Sequence, residues 1–398
     1  MNKSTVNKID EASLLIIEKQ FFHIKEKDFT LQCGKKLDDI TIAYETFGKL
    51  NREKNNAILV LHALTGDSHA AGIYDITDEK PGWWDIMIGP AKAIDTDKYF
   101  VICSNILGGC MGSTGPSSLK PPHTTSDKQE CYGMNFPVVT VADMVRVQKR
   151  LIDHFNIKQL LSVIGGSLGG MQALEWSVRY PNMVKSAIPL ATTMKHSALS
   201  IAFNEVARQA IKSDPNWNNG NYTKNKKPDL GLSVARMIGH ITYLSDESMR
   251  QKFGRRLQSE KDLSLSFDSQ FQIESYLQYQ GKKFVNRFDA NSFLYITKAA
   301  DYFDLEKQHG KGSSVEVFSK TTARFLVVSY SSDWLYPTHE SKAIVTALKK
   351  NKIDVSFCEI ESDLGHDAFL LPDKQLNKMI KGFLTSIDDE ITGDKNEI

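Results

Sequence analysis

The chain has 398 residues, 41% of them hydrophobic and 24% charged, with a formal net charge of +1. That length allows one large core, or a core carrying an inserted unit, and the near-neutral balance gives no bulk attraction to nucleic acid or to a membrane surface. No apolar run reaches the length of about 18 residues that a membrane span needs. The first 20 residues carry acidic groups and only a short apolar stretch, which makes a poor signal peptide. Cys33, Cys103, Cys110, Cys131 and Cys358 are scattered, odd in number and without a C-x-x-C pair. They indicate neither a metal site nor a disulfide framework, and a reducing, cytoplasmic location is expected.

In chain order, FTLQCGKKLDDITIAYETFGKLN predicts antiparallel entry strands, with alternating stretches around a Gly-Lys-Lys turn. The pattern then changes to short apolar runs at 56–64, 98–107, 159–166 and 184–192. Each reads as a strand buried on both faces, hence a parallel sheet. TVADMVRVQKRLIDHF has apolar residues at helical spacing, with Thr140 available as its cap. RFLVVSY and DVSFCEI resume the strand pattern near the C-terminus, with helical ESKAIVTALKK between them. Strands alternating with helices predict an α/β fold with a mostly parallel, doubly wound sheet. Between 194 and 320 the strand signal fades, and the segment reads as a helical lid inserted into a core made of 1–193 and 321–398. Within it SDPNWNNGNYTKNKKPD reads as a polar loop or disordered link. The charged end DDEITGDKNEI is expected to fray.

Gly165-Gly166-Ser167-Leu168-Gly169 matches G-x-S-x-G, with a strand before it and the helical MQALEWSVRY after it. That setting marks a nucleophile elbow, a tight turn whose flanking glycines leave the serine hydroxyl exposed above the strand end. A serine needs a base, and the base needs an orienting group. In this fold they follow in the order Ser, acid, His. Asp333 lies just past RFLVVSY, and His366 lies past the next strand, so both fall at carboxyl ends of strands on the edge that carries Ser167. His339 competes as base but opens a helix directly after Asp333, and His62 and His69 precede the elbow. The backbone N–H of Leu168 and that of Leu64, in the loop LVLHALTGDSH, are the candidate oxyanion donors. The second glycine-rich stretch, NILGGCMGSTGPSS at 105–118, lacks the lysine and spacing of a phosphate loop. It is expected to wall the pocket.

Several of these stretches, from about residue 40 to 370, resemble one family, the homoserine O-acetyltransferases of the α/β-hydrolase superfamily. They include ITIAYETFGKLN, LHALTGDSH, GGCMGSTGPSS, GGSLGGMQALEW, ARMIGHITY, SDWLYP and GHDAFL. ESYLQYQGKKFVNRFDANSFLYITKA, inside the insertion, is the part an ordinary esterase lacks. The resemblance places the nucleophile, acid and base on Ser167, Asp333 and His366. It puts substrate binding on Arg236 and Asp367. It implies acyl transfer from acetyl-CoA as co-substrate to L-homoserine by a ping-pong route, an early step toward methionine, with no permanently bound cofactor and a homodimeric assembly. Gly239-His240 and Met111 depart from residues common in relatives, and their expected effect is on the tunnel wall. Succinyl-CoA as donor, serine as acceptor, and ester hydrolysis on the same scaffold remain alternatives, as does a binding protein without catalysis.

Overall fold

The structure, a computed structural model, describes residues 15–25, 29–121, 130–259, 263 and 265–393. The opening residues and the last five of the charged end lie outside these. Eight strands form the central sheet: β1 (Gln20–Ile24), β2 (Ile40–Phe47), β3 (Ala57–Leu61), β4 (Phe100–Ser104), β5 (Ser162–Gly166), β6 (Ser186–Leu190), β7 (Arg324–Tyr330) and β8 (Val355–Ile360). Their spatial order is β1-β2-β4-β3-β5-β6-β7-β8. The first two pairings are antiparallel and the other five are parallel. The expected entry strands and parallel sheet are both present. The Gly-Lys-Lys turn closes only a two-residue ribbon, Phe29–Thr30 against Lys36–Leu37.

Helices cover both faces, which is why the central strands are apolar on both sides. Alternate residues sort to the two sides. Leu59, Ile102 and Val163 pack with Val147 and Leu151 of α1 (Val141–His154) and with Trp176 of α2 (Leu168–Arg179). Ile58, Val60 and Ile164 face a second core with Trp84 and with Leu376, Ile380 and Leu384 near the C-terminus. Thr140 caps α1 through a reciprocal pair with Asp143.

Between β6 and β7 run α3 (Ala198–Ser213), α4 (Asp229–Tyr243), α5 (Asp246–Lys252), α6 (Gln272–Val285), α7 (Ala290–Asp301) and the single-turn α8 (Leu305–Gln308) and α9 (Ser314–Val317). The polar stretch at 213–229 is a loop, as expected, but one tied down after a 3-10 turn at Pro215–Gly220. Asp214 accepts from the N–H groups of Asn216 and Gly231, Trp217 Nε1 donates to Asn291, and the Tyr222 hydroxyl donates to Asp289. Two further helices complete the fold, α10 (Thr338–Lys350) and α11 (Lys374–Thr392). Among the described residues no helix is long and apolar enough to cross a membrane.

The glycine-rich stretch at 105–118 does something other than wall the pocket beside Ser167. β4 pairs only with the second half of β2. The first half is finished by this loop, through Asn105 N–H to Ala43 O, Thr114 N–H to Thr41 O, Ala43 N–H to Ser113 Oγ and Thr41 N–H to Thr114 Oγ1. Those backbone groups are otherwise buried without partners, so the loop serves the sheet.

Candidate active site

β5 ends at Gly166, α2 starts at Leu168, and Ser167 between them holds φ 58°, ψ −123°. That backbone is strained for an L-residue. It persists because both sides are clamped. The Ser167 N–H donates to Leu190 O of β6, and its carbonyl accepts from Thr192 Oγ1 at 2.8 Å. At Gly169 a Cβ atom would stand 2.0 Å from the carbonyl oxygen of Leu61, so the closeness of α2 to β3 demands glycine there.

Asp333 follows β7 in a turn, where Oδ1 accepts the N–H groups of Leu335 (3.0 Å) and Tyr336 (2.9 Å). These bonds fix the carboxylate and leave Oδ2 to meet His366 Nδ1 at 2.8 Å. Both side chains are buried. Burial pulls the imidazole toward its neutral form, but the charge of Asp333 and its hydrogen bond outweigh that, and His366 ends above its ordinary value.

Ser167, His366, Leu64, Arg236 and Asp367 line one cavity of about 180 Å³. Leu168 lines a smaller one on the other side of Ser167, which also reaches Leu64. Neither the Leu64 nor the Leu168 N–H is spent on another hydrogen bond among the described residues. Arg236 comes from α4. Its Nη1 donates to Thr65 Oγ1 at 3.2 Å, and its guanidinium lies over the Phe284 ring, which fixes the group while leaving donors for the cavity. Asp367 is half-buried, and the loss of water around its carboxyl raises its pKa despite His366 and Arg236 nearby.

The other histidines are placed elsewhere. His62 is buried, with Nδ1 on Ala63 O (2.8 Å) and Nε2 accepting from Ile106 N–H. Burial lowers its pKa, so it is a neutral structural residue. His69 is tied to Glu45 at 2.9 Å, and His339 is exposed. Gly239 lines the smaller cavity. His240 turns toward α6, where Nδ1 pairs with the Tyr276 hydroxyl at 3.2 Å.

The cavity has lining residues that sequence reasoning did not single out. Tyr243 stands two helical turns after Arg236 on α4, and Arg287 comes from the turn between α6 and α7. Arg287 reaches Asp67 (3.5 Å) and donates to Thr65 O. Tyr336 lies on the small cavity with Ser167. The SDWLYP stretch contained the signal for Tyr336, because that turn supplies both the acid and the phenol.

A serine on a strained strand-to-helix turn, with an Asp–His pair at the ends of later strands of the same sheet, defines the class of α/β-hydrolase-fold enzymes. The chain matches the family described as alpha/beta hydrolase fold over residues 56–373. Within that class it belongs to the homoserine O-acetyltransferase family, and so is an acyltransferase enzyme. It is 64% identical to the homoserine O-acetyltransferase of Solidesulfovibrio magneticus, across 92% of each chain. It is 58% identical to that of Desulfotalea psychrophila, across 95% of this chain and 97% of that one. The crystal structure of homoserine O-acetyltransferase from Bacillus anthracis superposes with a TM-score of 0.85 at 32% identity, covering 93% of this chain and 98% of that one. The crystal structure of esterase E22 matches with the same score and identity, covering 93% of this chain and all of that one.

Proposed function

We propose that the chain transfers an acetyl group from acetyl-CoA to the hydroxyl of L-homoserine through a covalent acyl-Ser167. Ser167 Oγ attacks the thioester carbonyl while His366 takes its proton. The C–S bond breaks, and that proton leaves with the coenzyme A thiol. His366 then takes the proton of the homoserine hydroxyl, whose oxygen attacks the acyl carbon. The new ester departs and Ser167 regains its proton. Asp333 holds His366 in the required tautomer, and the N–H groups of Leu64 and Leu168 receive the oxyanion in both halves. Arg236 holds the amino-acid carboxylate with a forked pair of hydrogen bonds, and Asp367 holds the ammonium.

The observation that carries this reading is the shared cavity. A cation and a carboxylate face it beside the serine and the base, and an ester hydrolase has no use for a clamp shaped to a zwitterion. The hydrolase reading is kept because an esterase shares the fold at equal similarity. Acetyl is preferred over succinyl as the acyl group. A second carboxylate in the pocket needs a cation of its own, and the further arginine of the cavity, Arg287, is already engaged by Asp67 and Thr65. By the same resemblance the enzyme works as a cytoplasmic homodimer early in methionine synthesis. Exposed Val206, Leu230 and Val234 on α3 and α4 support a subunit contact there.

One thiol-release assay tests the reading, crossing homoserine, serine and no acceptor with acetyl- and succinyl-CoA. The expected result is release fastest with acetyl-CoA and strongly dependent on homoserine. Equal release without an acceptor would establish a hydrolase, and faster turnover with succinyl-CoA would overturn the donor assignment.

A further inference from the structure

Two stretches that stand out in the sequence take no part in the chemistry above, and they meet at one place. The glycine-rich loop at 105–118 and the polar stretch at 213–229 both line a cavity of about 290 Å³. Arg287 lines this cavity as well as the one that holds Ser167, so the two adjoin across that side chain. Asp67 and Thr65 hold Arg287 in place there.

The second cavity is positively charged. Lys224 and Lys227 line it with Arg287, against a single carboxylate, Asp289. Both oxygens of Asp289 are already occupied. Oδ1 accepts from the Tyr222 hydroxyl at 2.6 Å, and Oδ2 accepts the N–H of Ser292 at 2.8 Å. The two lysines are exposed, and among the described residues neither ammonium has an ion-pair partner. Lys224, Lys226 and Lys227 fall within four positions and repel one another, yet the backbone that carries them is fastened. Lys226 N–H donates to Thr223 O at 3.1 Å and closes a tight turn. The Tyr222 bond to Asp289, and that of Asn291 Nδ2 to Gly220 O at 2.9 Å, tie the stretch to the start of α7. Unmatched positive charge is thus held at a fixed place, which lowers the ordering cost of binding an anion there. Two other cavities differ. The small one beside Ser167 has no Lys or Arg in its lining, and one beside Trp334 is lined by Asp246 and Glu247 without a cation.

The acyl donor creates the demand. Coenzyme A carries its thiol on an uncharged pantetheine arm, with a diphosphate and a 3′-phosphate at the far end. Sites for ligands of that size span about 300–1,000 Å³, more than the 180 Å³ beside Ser167. The cations of that smaller space are taken, Arg236 by the amino-acid carboxylate and Arg287 by Asp67 and Thr65. We propose that the Lys224–Lys227 cavity binds the phosphate-bearing half of the acyl donor, and that the pantetheine arm runs past Arg287 to bring the thioester to Ser167. The inference rests on acetyl-CoA being the donor and gives its charged end a place.

Donor kcat/KM reads the acylation half alone, and two donors separate the charged end from the thioester. S-acetylpantetheine has the thioester without the nucleotide. Wild type should use acetyl-CoA with the higher kcat/KM. Lys224→Gln/Lys227→Gln should lower the acetyl-CoA value by about twofold to thirtyfold, the range for two solvated ion pairs, and keep the S-acetylpantetheine value. Adenosine 3′,5′-bisphosphate should compete with acetyl-CoA in wild type, and compete more weakly by a similar factor in the variant. Lys320→Gln/Lys350→Gln makes the same change in net charge at exposed lysines that do not line the cavity, and should match wild type. Equal use of the two donors by wild type, a parallel fall with both donors in the Lys224/Lys227 variant, an unchanged acetyl-CoA value there, or an equal fall in the Lys320/Lys350 variant each overturns the proposal and leaves acetyl-CoA as donor. A wild-type protein that takes no acetyl group from acetyl-CoA overturns the donor reading, and the proposal with it.

Discussion

His366 and Asp333 show how two side chains set a working pH range. The carboxylate raises the imidazole above its ordinary value of 6.5. The base works only when neutral, so activity is lost as pH falls through this raised value, and the acid limb of kcat/KM lies above 6.5. Asp333→Asn removes the charge that does the raising. The limb should move to lower pH, and kcat should fall by about 10⁴-fold, the loss seen for this change in serine proteases. A limb that stays in place would mean that Asp333 is not the cause. Arg236→Ala is expected to weaken homoserine use by about 2–5 kcal/mol, the range for truncating a buried charge contact, and to spare acylation of Ser167 by acetyl-CoA. Single-turnover thiol release separates the two halves, and a variant that acylates slowly while holding homoserine normally would contradict the assignment. The meeting of Ser167, Asp333 and His366 at one sheet edge was legible because each sits in a short local signature at a strand end. Tyr243 and Arg287 were not. Their arrival at the cavity depends on how α4 and the 286–289 turn pack, and no local spacing encodes that.

The elements were legible wherever periodicity was strong. Each apolar run predicted as a strand contains one, in most cases shorter by one to three residues at an end, where buried loops are as apolar as strands. The stretch at 213–229 was legible as a loop but not in its anchoring, because polar composition does not reveal that Asp214, Trp217 and Tyr222 all have distant partners. The loop at 105–118 was misassigned for the same kind of reason, since its glycines permit backbone pairing with β2 that a phosphate-loop comparison cannot see. Close packing of α3 on α4 gives a prediction at this scale. A Cβ on Gly231 would sit 2.5 Å from the carbonyl oxygen of Ala210. Gly231→Ala should gain about 0.5–1 kcal/mol of helix propensity. It should lose about 1–3 kcal/mol as α4 is pushed from α3. The net expectation is a lower melting temperature, and a rise would show that the helices separate without cost.

Over the whole molecule, the fold brings Ser167 from the end of β5, Asp333 from just past β7 and His366 from beyond β8 to one sheet edge, and α4 then stands over that edge with Arg236 and Tyr243. Ser167 is only 8% exposed and His366 2%, so water has little access to an acyl group carried on Ser167. That is the condition for transfer to outrun hydrolysis. Direct attack of homoserine on the thioester needs only a base, and leaves the strained turn at Ser167 and the two free N–H donors without a role. The covalent route uses all of them, and it requires coenzyme A to leave before homoserine reacts. Double-reciprocal plots should therefore be parallel when both substrates are varied. Mixing with acetyl-CoA alone should leave an acetyl group on the peptide that carries Ser167, visible by mass spectrometry after rapid quench. Ser167→Ala should lose activity by about 10⁶-fold if the three residues act as a unit, as in other serine enzymes. Intersecting plots together with an unmodified Ser167 peptide and a largely active Ser167→Ala variant would require the direct route instead.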